Sequence, residues 1–299
     1  MTEQNKTTTI PLPVQGKDMD SIMQSLESGV EELFTSNRYQ EFLKTMAKFH
    51  NYSFNNTMLI AMQRPDATLV TSYKNWQSMG RQVMKGEKGI TIIAPAPYKK
   101  MKEKEVLDEN QRPIMGTDGK PKTEQVEVTV PHFKAVTVFD IAQTSGEPIQ
   151  TLAPELLTAA VQDFDSFMQA IQKISPVPIR FDEIDGNANG YYHNADKEIV
   201  IKKGLSESQT LKTTIHETAH DKLHDKEIME SLGVEKDRLT KEVEAESVAY
   251  CVCSSFGLDT SDYSFPYIAG WSSSREMKEM KASMDVIRKT AGEMIDQLT

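Results

Sequence analysis

Cysteine is nearly missing from this chain of 299 residues, which has only Cys251 and Cys253. A disulfide between residues two apart is geometrically poor. No disulfide framework is therefore expected, and the pair in "AESVAYCVCSSFG" reads as two small apolar residues of a core helix. Such cysteine usage fits a cytoplasmic protein. No apolar run approaches the length of about 18 residues that would span a membrane, so no membrane partner is expected. The opening "MTEQNKTTTIPLPVQGKD" has no apolar stretch of the secretory kind and reads as a disordered lead over residues 1–18. Internal repeats are absent. What is left, 38% hydrophobic and 26% charged residues, suits a globular chain. Its length exceeds the usual single core, so two domains are expected.

Positive charge is also in deficit, with a net charge of −10 that argues against a nucleic-acid partner. The distribution reverses that argument for one window. Residues 40–105 carry 11 basic side chains against 5 acidic ones, whereas residues 155–299 carry 16 against 26. A basic segment inside an acidic protein is a partner signal that the total conceals.

The hydrophobic pattern predicts an α+β protein. In 19–49, Ile22, Leu26, Val30 and Leu33 form one helical face and Phe42, Leu43, Met46 and Phe49 another, as one long helix or two short ones. A further helix, "SFNNTMLIAMQRP", stops before Pro65. The run "ITIIAPAPY" and the segment "VPHFKAVTVFDIAQT" read as strands. Between them, residues 99–125 are charged and turn-rich, a flexible loop or a hairpin arm. "SGEPIQTLAP" marks the domain boundary near residue 148, giving domains over 19–148 and 149–299. The second begins with a helix over 154–174. Strands "IRFDEI" and "KEIVIKKG" follow around the turn "DGNANGYYHNAD". Then come a helix ending in "TTIHETAHDKLH", with Ser206 or Ser208 as N-cap, and a second helix closing at Gly257.

The segment "HETAH" carries the chemistry. Residues four apart on a helix share a face, so His216 and His220 can present both imidazoles to one ion. Glu217 can then serve as general base for a water activated by that ion. A zinc centre needs a third protein ligand and keeps one position open. His224 continues the series, but it lies about 12 Å along the axis from His216, too far to chelate the same ion. It reads as a polar helix residue or a neighbour of the site. The following helix, "KEVEAESVAY", offers Glu242, Glu244 and Glu246. Glu242 and Glu246 share a face, and Glu244 points elsewhere. Glu242 is the candidate ligand, with its neighbours as alternatives, and Glu246 is placed behind a ligand histidine. The donor set suits Zn2+, and other divalent ions such as manganese or cobalt remain compatible.

In the basic window, "TSYKNWQSMGRQVMKGEKG" mixes Lys74, Arg81, Lys85 and Lys88 with Tyr73 and Trp76. Cations along a backbone and aromatics under bases make a surface for single-stranded DNA. The same residues could equally form a solvated basic face over a core tryptophan.

Two resemblances extend these readings. Residues 178–257 resemble the short gluzincin metallopeptidases of the ImmA/IrrE kind, with "GYYHNADKEIVIKKG" similar to their edge strand beside the substrate groove. That resemblance implies peptide hydrolysis with Glu217 as base, and it makes Tyr191, Tyr263 and Tyr267 candidate oxyanion donors. The stretch from "NYSFNNTMLIAMQRPDATLV" through "KGEKGITII" to "VFDIAQTSGEP" resembles the ArdC-type antirestriction proteins and the related LtrC-like proteins of conjugative elements. It implies an N-terminal helix-plus-sheet domain that binds single-stranded DNA, followed by a zincin-like domain. The charged insert at 99–125 has no counterpart in that pattern.

The function expected is a single-strand-binding antirestriction protein of a mobile element that carries a zinc metallopeptidase domain with an unknown protein substrate. The alternatives are a DNA-binding module with a non-proteolytic metal domain, and a regulatory peptidase without DNA binding.

Overall fold

The computed structural model describes residues 18–35, 38–117, 119–149, 164–260 and 265–299, with Val14, Gly16 and Tyr263. The polar lead expected over 1–18 lies almost entirely outside them, as do residues 154–163 of the helix expected over 154–174.

The first amphipathic stretch is two helices, α1 (Met19–Thr35) and α2 (Tyr39–Lys48). Ile22, Leu26 and Val30 are fully buried, and Phe42, Leu43 and Met46 nearly so. Helix α3 (Phe54–Gln63) starts at Ser53, whose hydroxyl accepts from the Asn56 N–H, and ends before Pro65. Strand β1 (Val70–Ser72), the short helix α4 (Tyr73–Ser78) and β2 (Arg81–Val83) follow.

The sheet order is β1–β6–β3, all antiparallel, with β3 at Ile90–Pro95 and β6 at Phe133–Asp140. The free edge of β3 is capped by amides from α3. Asn56 both donates to and accepts from the Ile93 backbone at 2.8 Å, and Gln63 does the same with Thr91. Side chains therefore satisfy edge groups that would otherwise template another strand. The 99–125 insert is a hairpin arm, β4 (Tyr98–Glu105) paired with β5 (Thr123–Val130). A 3-10 turn at Ile141–Gln143 leads into β7 (Thr144–Gly146), which pairs with β2.

The second half opens with α5 (Phe164–Ile174). Strands β8 (Ile179–Asp182) and β10 (Glu198–Lys202) run parallel, and β9 (Gly190–His193) lies antiparallel on the outer side of β10. The segment read as a turn thus contains a strand of its own. Helix α6 (Glu207–His224) is capped by Ser206, α7 (Lys226–Leu232) by Asp225 and α8 (Arg238–Ser255) by Asp237. Gly257, at φ 69, follows the end of α8 in the left-handed conformation that favours glycine. Helices α9 (Ile268–Ser273) and α10 (Met277–Leu298) complete the chain.

Helices from both halves share one apolar core: α1, α2 and α3 pack with α5, α6, α8 and α10. Cys251 and Cys253 sit in it as free thiols, fully buried. Burial pushes the Cys253 thiol up to about 12, so it stays protonated and inert. A smaller cluster around Phe49, Ile60, Ile90 and Val138 fills the N-terminal sheet. No helix among the described residues is long and apolar enough to cross a membrane.

Candidate metal centre and nucleic-acid surface

Helix α6 is unusually polar for a buried element. Its threonines solve their own hydrogen bonding: Thr214 and Thr218 each donate to the carbonyl one turn back at 2.7 Å. The helix can then lie between β9, β10 and α8 with its histidines facing α8. His216 Nε2 and His220 Nε2 come within 3.1 Å of each other, and Glu242 Oε2 lies 3.7 Å from both. The circle through these three atoms has a radius of about 2.0 Å, the length of a zinc bond to nitrogen or carboxylate oxygen. His216, His220 and Glu242 are thus placed as a candidate metal site, and two imidazoles with one carboxylate fit a divalent cation. Burial disfavours the charged imidazole of His216, but Glu242 and Glu246 outweigh it and push its pKa up to about 10.

Each histidine is backed by a carboxylate. Glu246 Oε2 is 3.0 Å from His216 Nδ1. Behind His220 the support is longer: His220 Nδ1 meets His224 Nδ1 at 3.0 Å, and His224 Nε2 meets Glu244 Oε2 at 3.0 Å. If His220 Nε2 offers its lone pair to an ion, Nδ1 carries the hydrogen and donates to His224. His224 must then carry its own hydrogen on Nε2 and donate it to Glu244. One arrangement of protons satisfies the whole chain. Glu244 is fully buried, and a lone carboxylate there would be costly. Lys236 Nζ at 2.6 Å and the Ser283 hydroxyl of α10 at 2.8 Å complete its partners. Burial works against its charge, but the bond from His224 and the Lys236 ammonium hold its pKa below the ordinary value. Glu244 does point away from the three ligand atoms, toward His224. Sequence reasoning left both residues without this role; the signal was a third histidine one turn beyond His220.

Glu217 is buried beside the ligands, and burial raises its pKa, opposed by His216 and His220 and by a hydrogen bond from the Tyr192 backbone of β9. Burial thus makes this carboxylate a better proton acceptor than an exposed one. Strand β9 is held against α6 by Tyr192, whose hydroxyl donates to Asp225 at 2.6 Å, and by Lys197, which pairs with the same carboxylate. At Gly190 the strand comes close to both neighbours: a Cβ there would lie 2.7 Å from Thr213 Cγ2 of α6 and 3.0 Å from the Val200 carbonyl of β10. A cavity of about 240 Å³ opens between strand and helix, lined by Gly190, Lys212, His216, Glu217, Glu246 and Tyr263 among others. Lys212, one turn before His216 and on its face, is a lining residue the sequence reading passed over. Of the three tyrosines named as oxyanion donors, Tyr263 lines the cavity, with its hydroxyl 3.5 Å from Cys253 Sγ. Tyr191 and Tyr267 do not line it.

The basic window is divided by the fold. Trp76, expected under a nucleic-acid base, is fully buried and donates its indole N–H to the Phe139 carbonyl at 2.8 Å. With no exposed surface it cannot stack on a base, so it is a core residue. Arg81 is also occupied: its guanidinium bonds the Thr144 hydroxyl and the carbonyls of Thr144, Gly146 and Glu147, fastening β2 to β7. Tyr73, Lys74, Lys85 and Lys88 remain exposed. Lys85 and Lys88 ride on a turn pinned by Gln143, which accepts from Met84 N–H and donates to the Lys88 carbonyl and to Glu87. Beside it, buried Asp140 accepts from the backbone of Thr68, Leu69 and Ala142. "VFDIAQT" is therefore a brace for the basic turn.

Residues 13–139 match the family model for the N-terminal domain of anti-restriction factor ArdC. The chain is 28% identical over 285 residues to an uncharacterized pXO2 protein of Bacillus anthracis, covering 86% of this chain and 47% of that one. It is 34% identical over 113 residues to the DNA primase TraC of Escherichia coli, covering 38% of this chain and 8% of the primase. The chain thus spans about half the length of the first relative and a small part of the second. Among solved structures, the metal-free antirestriction ArdC protein from plasmid R388 superposes with a TM-score of 0.56 at 22% identity, covering 91% of this chain and 96% of that one. Its Mn(II)-bound form gives 0.53 at 20% identity with the same coverage. At these identities the likeness is one of fold.

Proposed function

The chain is of ArdC type, in its N-terminal domain and in its fold, and on that premise we propose that it is a DNA-binding antirestriction protein whose C-terminal half is a metal-dependent peptidase. The N-terminal part, 19–148, binds single-stranded DNA, and the part over 149–299 holds one divalent ion through His216, His220 and Glu242. Zinc is the ion we assign, with manganese the alternative that the R388 structure suggests. The observation that carries the reading is the convergence of these three ligand atoms beside a buried glutamate that is not one of them. A structural metal site has no need of such a neighbour.

A bound divalent ion would polarise a water and lower its pKa. The Glu217 carboxylate, buried beside the three proposed ligands, would hold the proton given up by the attacking water and return it to the departing amine nitrogen. Glu246 and the His224–Glu244 pair keep the two ligand imidazoles turned toward the ion. Strand β9 is the edge strand of its sheet, and an extended peptide laid along it by main-chain hydrogen bonds, beyond the Tyr192 N–H that donates to Glu217, would run past the cavity. Tyr263, which lines the same cavity, is the proposed donor to the developing oxyanion.

Elemental analysis after dialysis against Zn2+ or Mn2+ tests the first step. Cleavage of a mixed peptide library, read by mass spectrometry, tests the second. Metal uptake without any cleavage overturns the peptidase and leaves a metal-stabilised DNA-binding module.

A further inference from the structure

The β4–β5 arm has equal numbers of lysines and glutamates in its two strands, four of each, so its total charge says nothing. Its register says more. Side chains alternate across a ribbon, which places Tyr98, Lys100, Lys102 and Lys104 on one face, beside Val126 and Val128. Glu124 is the one acidic residue of that face. The opposite face carries Lys99 against Glu103, Glu105 and Glu127, and its lysine is tied to Glu127 at 2.6 Å. The ribbon is therefore bipolar: one face basic and apolar, the other acidic. Lysines that merely guard a strand edge against aggregation need no such sorting by face. Lys100, Lys102 and Lys104 have no ion-pair partner among the described residues.

The arm also stands apart from the core. It continues the β3–β6 hairpin but is offset from it by Pro97 and Pro131, which interrupt both strands around the Ala96 N–H bond to the His132 carbonyl. Every residue of β4 is exposed. At its base Tyr98, half exposed, meets His132 edge-on at 6.0 Å. Successive lysines on this face are about 6.7 Å apart, comparable to the spacing of neighbouring phosphates along an extended strand. Valines between them offer an apolar bed for bases, and Tyr98 a ring on which one can stack.

We propose that the basic face of the β4–β5 ribbon is a second contact for single-stranded DNA, with lysines on phosphates and Tyr98 and the valines under bases. This rests on the DNA-binding reading above and adds to it a surface outside the 73–88 segment.

The test is fluorescence anisotropy of a labelled oligo-dT with the full chain at two salt concentrations. The variants are the triple K100Q/K102Q/K104Q, the triple reversal K100E/K102E/K104E, and K99Q as the opposite-face control. The neutral triple is expected to weaken binding on the order of tenfold at 0.1 M salt and to lower the log–log salt slope by about 2. The reversal weakens it further, and K99Q stays within about twofold of wild type. Because the neutral triple keeps the backbone ladder and removes only charge, it remains informative if the reversal misfolds. Wild-type binding with an unchanged triple overturns the arm contact and leaves the DNA reading standing. Equal losses for K99Q and the triple overturn the face assignment. No binding by the wild type overturns both readings together.

Discussion

At the candidate metal site the two imidazoles are fixed by partners: Glu246 behind His216, His224 and Glu244 behind His220. On the 73–88 surface, Lys74, Lys85 and Lys88 end in solvent with no ion-pair partner among the described residues. The first site is preorganised by burial and spends its polar groups on one another. The second is only positioned, through a backbone turn pinned by Gln143, and its charges stay hydrated until a polyanion arrives. One arrangement suits a small ion that tolerates little misplacement; the other suits a flexible polymer gripped by many weak contacts.

The contrast can be broken most sharply at its centre. Glu217→Gln should keep the metal, measured by elemental analysis, while lowering peptide cleavage by about 10²–10⁴-fold, the usual worth of a general base. Retained cleavage would remove the base from the proposal. Next in size is Trp76→Ala. As a core residue it should cost roughly 3–5 kcal/mol in denaturant unfolding, whereas a surface stacking residue would cost almost nothing; Trp76→Phe should leave DNA affinity unchanged. Glu244→Gln probes preorganisation from a distance. It keeps the shape but loses the carboxylate behind His224, so metal affinity by calorimetry should fall about 10–100-fold. An unchanged affinity would reduce the relay to packing. The smallest effect belongs to the exposed turn: Lys85→Glu with Lys88→Glu should weaken single-strand binding by about tenfold or less, with a shallower salt dependence.

The α+β class and most helices were legible because apolar spacing and caps such as Ser53, Ser206 and Asp237 are local signals. The convergence of His216, His220 and Glu242 was readable from two helical periods. What escaped is what only packing decides. Trp76 and Lys74 sit in the same helix of six residues, yet one is buried and the other exposed. The roles of His224 and Glu244 depend on how α6 faces α8, and no spacing encodes that. The residue pattern hid strand β9 in a Gly/Asn-rich stretch, and only the peptidase resemblance of "GYYHNADKEIVIKKG" pointed to an edge strand there, because pairing with β10, not composition, makes it a strand. The charge sorting of the arm becomes visible only once the register of β4 on β5 is known.

The hydroxyl of Ser283 has a temporal meaning. The two helices that supply every proposed ligand are complete by residue 255, yet the buried carboxylate behind them gets its last partner from α10, near the end of the chain. Tyr39, near the start, donates to or accepts from Ser247 of the same ligand helix at 2.7 Å. During synthesis the first helices must wait for more than 200 residues before their partner exists, and contacts so distant in sequence form slowly. The candidate ligand cluster therefore cannot be complete before residue 283 has been made, and a polypeptide released earlier carries the proposed ligands without the finished cage.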